Sequence, residues 1–179
     1  MSFCTPKGYS FSVTEAAIKK PGRRDLALIF SVEPAVVSAM FTTNKVKAAP
    51  VLIDIKRVKS GISRAIIVNS GNANACTGKQ GLIDSYETTR LVSESLGIKR
   101  TDVLVSSTGV IGTPMPMDRI KKSIPTLIDG LGKYDLNDVA KAIMTTDTFE
   151  KVSSRRLKIG KKDVCITGIA KGAGMISPK

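Results

Sequence analysis

Short apolar, β-branched runs, each closed off by a chain breaker, recur along this sequence and restrict it to a fold built on buried strands. Leu26-Ala27-Leu28-Ile29-Phe30 follows the turn Pro21-Gly22, and Ala35-Val36-Val37-Ser38-Ala39-Met40-Phe41 follows Pro34. Ala65-Ile66-Ile67-Val68-Asn69 and Val103-Leu104-Val105-Ser106-Ser107 come later, and each run has the length of one strand. Between the last two, Leu82, Tyr86, Thr89, Val92 and Leu96 recur at helical spacing, and Gly97 supplies the stop. A second helix is expected from Asp118 to Leu127, started by Pro116 and broken near Pro125. A third is expected from Leu136 to Met144, capped by Asn137 or Asp138. Val152 to Ala170 reads as a hairpin turning at Gly160-Lys161-Lys162. Mixed strands and helices make the chain α/β or α+β, and its 179 residues, free of linkers and repeats, make one domain.

The sequence contains no histidine, so this chain alone assembles no Ser-His-Asp or Cys-His centre and no His-ligated metal site. Catalysis must rest on hydroxyls, amines, carboxylates or backbone amides. A net charge of +13 favours anionic partners. The basic residues are scattered, however, aromatic residues are only 4%, and no nucleic-acid-binding signature accompanies them. Steering of small anions, or plain solvation, is the better reading of that charge. Six of the twelve residues from Lys151 to Lys162 are basic and none is acidic, which reads as a solvated hairpin arm. Cys4, Cys76 and Cys165 are odd in number and far apart, so neither a disulfide framework nor a thiolate metal site is expected, and Cys165 reads as a small core residue. Met1 to Lys20 lacks a signal-peptide apolar core, and nothing approaches the ~18 apolar residues of a membrane span. The expectation is a soluble, cytoplasmic protein.

Four segments carry candidate chemistry. Asn69-Ser70-Gly71-Asn72-Ala73-Asn74-Ala75-Cys76-Thr77-Gly78 leaves a strand end, where ligands sit in α/β sheets, although Asn-rich loops also serve only to satisfy their own backbone. Ser106-Ser107-Thr108-Gly109-Val110-Ile111-Gly112 follows another strand; a Thr hydroxyl beside a Gly amide offers two donors converging on one point, which suits an oxyanion. It is not a phosphate loop, because the Gly-Lys-Ser/Thr ending is missing. Met144-Thr145-Thr146-Asp147-Thr148 binds a polar substrate or closes the third helix with an Asx or Ser/Thr turn. In Ala170-Lys171-Gly172-Ala173-Gly174-Met175-Ile176-Ser177-Pro178-Lys179, Lys171 supplies a compact cation for a carboxylate.

In this order, the four segments resemble the α-chain of ornithine acetyltransferase, the bifunctional glutamate N-acetyltransferase family of arginine biosynthesis. The words that carry the resemblance are Val68 to Ala75, Ser107 to Gly112, Ala142 to Thr148 and Ala170 to Ile176, together with the opening Pro6-Lys7-Gly8-Tyr9. The resemblance implies a layered fold of mixed sheets and helices, of the N-terminal-nucleophile type, completed by a second chain. It implies a precursor that cuts itself within Met-Ala-Thr, freeing a threonine as nucleophile at the start of the β-chain, beyond Lys179. Residues 1–179 are then a single α-chain domain, inactive alone and assembled as two α and two β chains. The family function is transfer of acetyl from N-acetylornithine to glutamate through an acetyl-threonine. By the same resemblance, Thr108 and Gly109 form the oxyanion hole, and Thr145 and Lys171 contact substrate. No metal or redox cofactor is implied, and acetyl-CoA is an added donor in bifunctional members.

Two other readings compete. One is a self-processing N-terminal-nucleophile amidohydrolase or aminopeptidase, which shares the oxyanion geometry and delivers the acyl group to water. The other is a basic nucleic-acid-binding module, motivated only by the charge.

Overall fold

The central sheet is buried on both faces, and two separate cores result. The computed structural model describes residues 4–172. Its elements are β1 (Tyr9–Thr14), β2 (Leu26–Val36), α1 (Ala49–Arg57), β3 (Ile62–Asn69), α2 (Gly78–Leu96), β4 (Val103–Ser107), α3 (Met117–Asp129), α4 (Leu136–Ala142), β5 (Lys151–Ile159) and β6 (Lys162–Ala170). A four-stranded sheet runs in the order β1-β2-β3-β4 and a separate hairpin pairs β5 with β6. The first three strands of the sheet are antiparallel in sequence, whereas β3 and β4 are parallel and joined by the α2 crossover.

On one face Leu26, Leu28, Ala65, Ile67, Val103 and Val105 meet Ile53 of α1, Val92 of α2 and Ile120, Ile124 and Leu127 of α3. On the other, Phe11, Val13 and Ala27 meet Leu136, Val139 and Ala142 of α4, with Val152 and Ile169 of the hairpin packed alongside. Alternate residues of a strand serve opposite faces, so Leu26 and Leu28 join one core and Ala27 the other. No helix among the described residues is long and apolar enough to cross a membrane.

Several expectations need correction. The run Ala35 to Phe41 is not a strand of its own: Ala35 and Val36 end β2 after a register shift between Phe30 and Ala35, and the chain then leaves the sheet. Pro125 does not break α3, which continues to Asp129 because Ile120, Ile124 and Leu127 anchor both sides of it. The cap of α4 is Asp135, two or three residues earlier than expected; its side chain accepts from the Asp138 amide while Asp138 answers at the Asp135 amide. The buried face of α2 is mostly small and polar, including Ser85, Thr88, Thr89 and Ser93 beside the aliphatic Val92, and Tyr86 turns outward.

The cysteine expectation is also overturned. Cys4 and Cys165 form a disulfide across a separation of 161 residues, and Cys165 therefore belongs to the hairpin rather than to a core. The segment before β1 lies along the hairpin, where the Cys4 amide donates to Ser154 Oγ (3.0 Å) and Thr167 Oγ1 donates to the Cys4 carbonyl (2.5 Å). This juxtaposition is tertiary, so cysteine spacing carries no sign of it. Cys76 is free and exposed. The hairpin's basic residues Arg155, Arg156, Lys158, Lys161 and Lys162 are exposed, in keeping with a solvated arm.

Candidate active site

Strand register builds the site. Leu26 pairs with Asn69, and Asn69 with Ser107, so β2 begins where β3 and β4 end. The flanking residues Arg23, Asp25, Ser70, Gly71, Thr108 and Gly109 are thereby delivered to one end of the sheet. They line a cleft of about 680 Å³, joined by Lys19, Lys20, Thr145 and Lys171. Sites at the carboxyl ends of parallel strands are the rule in α/β sheets, and the β3–β4 pair obeys it.

The Asn-rich loop is the scaffold of this cleft. Asn69 Oδ1 accepts from the Gly71 and Asn72 amides (3.2 and 3.0 Å), and its Nδ2 donates to Ser107 Oγ (2.7 Å). Asn72 Nδ2 donates to the Thr113 and Pro114 carbonyls (3.0 and 3.2 Å). Asn74 Nδ2 donates to the Gly81 carbonyl and Ser85 Oγ (2.9 and 2.8 Å). All three asparagines are buried and occupied, which is the reading in which the loop satisfies its own backbone. Only Ser70 and Gly71 of the loop reach the cleft.

The Thr108–Gly109 turn rests directly on that scaffold. The Thr108 amide donates to the Asn69 carbonyl (3.0 Å). Gly109 adopts φ +135°, and a Cβ there would lie 2.6–2.7 Å from backbone atoms of Gly71 and Asn72. Only glycine fits.

Lys171, just past the end of β6, closes the arrangement. Its Nζ donates to Thr108 Oγ1 (3.1 Å) and to Thr145 Oγ1 (2.8 Å). Each hydroxyl accepts from the ammonium, and its own proton is left to be donated elsewhere. The structure thus brings together all four site residues expected from sequence: Thr108, Gly109, Thr145 and Lys171. Residues 173–179 of the fourth segment lie outside the described residues.

Asp147 holds Lys171 and Thr145 in place. Its side chain is only 1% exposed. It accepts from Lys151 Nζ (2.8 Å), the Gly172 amide (2.6 Å) and the Thr145 amide (3.2 Å). The Lys151 ammonium above all, then the Gly172 amide, holds its carboxyl well below the usual carboxylate range. A depressed carboxyl stabilises the fold above its ordinary value of 3.8 and loses that contribution as pH falls through its folded value. Asp147→Ala is therefore expected to loosen the Thr145–Lys171 pair, read as hydrogen exchange at the Thr145 and Gly172 amides that is faster on the order of tenfold or more. It is also expected to erase part of the acid limb of the stability–pH curve, as read from urea midpoints.

Sequence reasoning missed Arg23. Its guanidinium donates to Ser70 Oγ (2.8 Å) and to the Ala142 and Met144 carbonyls, where it caps the C-terminal end of α4. Its position right after Pro21-Gly22 gives no hint of partners so far along the chain. Asp25, buried beneath it, spends both oxygens on the Ala16 and Ile18 amides (2.8 and 2.6 Å). The cleft is thus lined by Lys19, Lys20, Arg23 and Lys171 against a single carboxylate already committed to peptide amides. Such a cleft favours an anionic ligand. Among the described residues, no three Cys, Asp or Glu side chains converge to hold a metal ion.

A mixed sheet that collects hydroxyls, a close-packed glycine turn and an ammonium at its strand ends defines an α/β chain with a cationic, hydroxyl-lined cleft. The ArgJ family model matches residues 10–179, and the chain belongs to the ArgJ family. It is 60% identical over 172 residues to the arginine biosynthesis bifunctional protein ArgJ of Geobacter sulfurreducens, covering 96% of this chain and 44% of that protein. The namesake from Caldanaerobacter subterraneus is 50% identical over 173 residues, covering 97% and 43%. The chain thus spans less than half the length of the curated relatives it matches. Among solved structures, arginine biosynthesis bifunctional protein argJ from Bacillus halodurans superposes with a TM-score of 0.89 at 40% identity, covering 97% of this chain and 91% of that one. Ornithine acetyltransferase from Mycobacterium tuberculosis, solved in complex with ornithine, gives 0.89 at 37% identity, covering 97% and 93%.

Proposed function

We propose that this chain is the α part of an acetyl-exchange enzyme that moves acetyl from N-acetylornithine to glutamate, with the nucleophile on a companion β-chain. The observation that carries the reading is the Lys171 ammonium bridging Thr108 and Thr145 beside Gly109. The companion's N-terminal threonine brings its own base. An α-amine has a reference pKa of about 7.7–8.0, which suits proton transfer near neutrality in a chain that has no histidine.

In this route the threonine Oγ attacks the N-acetyl carbonyl carbon and the α-amine takes its proton. The carbonyl oxygen becomes an oxyanion between the Thr108 hydroxyl and the Gly109 amide, a type of contact worth about 3–4 kcal/mol per donor. The C–N bond then breaks, the α-ammonium returns its proton to the departing amine, and an acetyl ester remains on the threonine. The glutamate amine attacks that ester by the same steps in reverse order. Lys171 neutralises a substrate carboxylate, and Lys19, Lys20 and Arg23 raise the local concentration of glutamate, which carries two carboxylates. The route calls for no metal or redox group, and acetyl-CoA serves as an added donor in a bifunctional enzyme.

Product analysis of the complete two-chain protein tests this reading. Acetyl should appear on glutamate when glutamate is present, and release of acetate should stay slow when it is omitted. Equal acetate release under both conditions would make the enzyme a hydrolase. Thr108→Ala should lower kcat on the order of a hundred- to a thousandfold without unfolding the protein; unchanged kcat removes Thr108 from the mechanism.

A further inference from the structure

Among the described residues the sheet ends at β4, whose outer edge has no strand neighbour. An open edge leaves peptide groups unpaired unless something covers them. Here α1 covers it with two side chains one helical turn apart. Both carboxylate oxygens of Asp54 accept from the Val105 amide (3.2 and 3.1 Å). Arg57 Nη1 donates to the Val103 carbonyl, and its Nη2 donates to Thr89 Oγ1 on α2 (2.9 Å). An acceptor and a donor thus take the places of a neighbouring strand's carbonyl and amide.

These are costly residues to place there. Each retains only 8% of its exposure. Burial pushes the Asp54 carboxyl up to about 7, against the pull of the Val105 amide and the Arg57 charge. Apolar side chains would cover the edge without that cost but would leave the amide and the carbonyl unpaired. Two residues beyond Val105 the strand ends, and the next residues are Thr108 and Gly109.

We propose that Asp54 and Arg57 are positioning residues of the acetyl-transfer reaction, fixing the outer edge of β4 and through it the Thr108–Gly109 turn. The proposal rests on the role given to that turn above. Neither side chain lines the cleft that holds Thr108 and Lys171, so both act only through the strand.

The test uses the complete two-chain protein with Asp54→Ala and Asp54→Asn. In Asp54→Ala, hydrogen exchange at the amides of residues 105–109 should speed up on the order of tenfold or more, while β1 and β2 stay unchanged. kcat should fall on the order of tenfold or more, with KM for N-acetylornithine within about twofold. Asp54→Asn keeps an oxygen for the Val105 amide and should restore both. Exchange that is unaltered, or faster throughout the sheet alike, overturns the proposal, as does a kcat that Asp54→Asn fails to rescue. Should Asp54→Ala not accumulate as folded protein, Arg57→Lys gives the parallel comparison at Val103, with the same expected split between kcat and KM. Wild-type protein without acetyl transfer would overturn the function and this proposal together. Wild-type transfer matched by Asp54→Ala would overturn this proposal alone.

Discussion

Gly109→Ala is expected to reduce turnover on the order of a thousandfold, the upper end of the loss caused by removing an oxyanion donor outright. The added methyl would meet the Gly71 carbonyl carbon and oxygen and the Asn72 nitrogen at 2.6–2.7 Å, closer than a Cβ approaches anything in a relaxed structure. These are backbone atoms, held by Asn69 Oδ1 and by the pairing of Asn72 with Val110, so they have little room to retreat. The turn itself must move, and the Gly109 amide with it. A φ of +135° adds strain for any residue with a side chain. Gly168→Ala is the control: nothing lies within 4 Å of its Cβ position, and its kcat should match wild type. A Gly109→Ala enzyme with wild-type kcat would show that this amide takes no part.

Lys171→Ala is expected to cost on the order of ten- to a hundredfold in kcat/KM, carried mostly by KM. The ammonium does two things at once. In the proposed role it offers charge to a substrate carboxylate, and it holds Thr108 Oγ1 and Thr145 Oγ1 at 3.1 and 2.8 Å. Loss of the first raises KM, and loss of the second lowers kcat. Lys171→Arg should not restore the wild-type values, because a planar fork cannot take the place of a compact ammonium between two hydroxyls. Steady-state saturation curves with N-acetylornithine measure both parameters. An unaltered KM would place the substrate carboxylate elsewhere.

Much of the fold was legible wherever the signal was local. The runs at residues 65–69 and 103–107 are apolar and bounded, and both are strands of the central sheet. Gly97 stops α2 in a left-handed conformation, as a C-terminal glycine does. The hairpin turns at Gly160 as expected. Long-range features were not legible. The shielding of β4 by Asp54 and Arg57, the reach of Arg23 to α4 and the bond between Cys4 and Cys165 all join residues far apart in sequence. No periodicity or spacing encodes such partners. The continuation of α3 through Pro125 shows tertiary burial overriding a local breaker. At the site, each candidate word was ambiguous by itself. The Asn69–Asn74 loop, open to a functional and a structural reading, is scaffold through its asparagines and cleft wall through Ser70 and Gly71, whereas Thr108, Gly109, Thr145 and Lys171 converge. Asp147, whose part in shaping its turn was visible in the sequence, also accepts from the Gly172 amide just past β6.

The most direct test of the division of labour is to quench the complete protein in acid during turnover of N-acetylornithine without glutamate, then weigh and map both chains. The account predicts one acetyl group, on the N-terminal threonine of the companion, with this chain unmodified and the adduct lost once glutamate is added. Acetyl found on Lys171, Thr108 or any other residue of this chain at the same rate would contradict it.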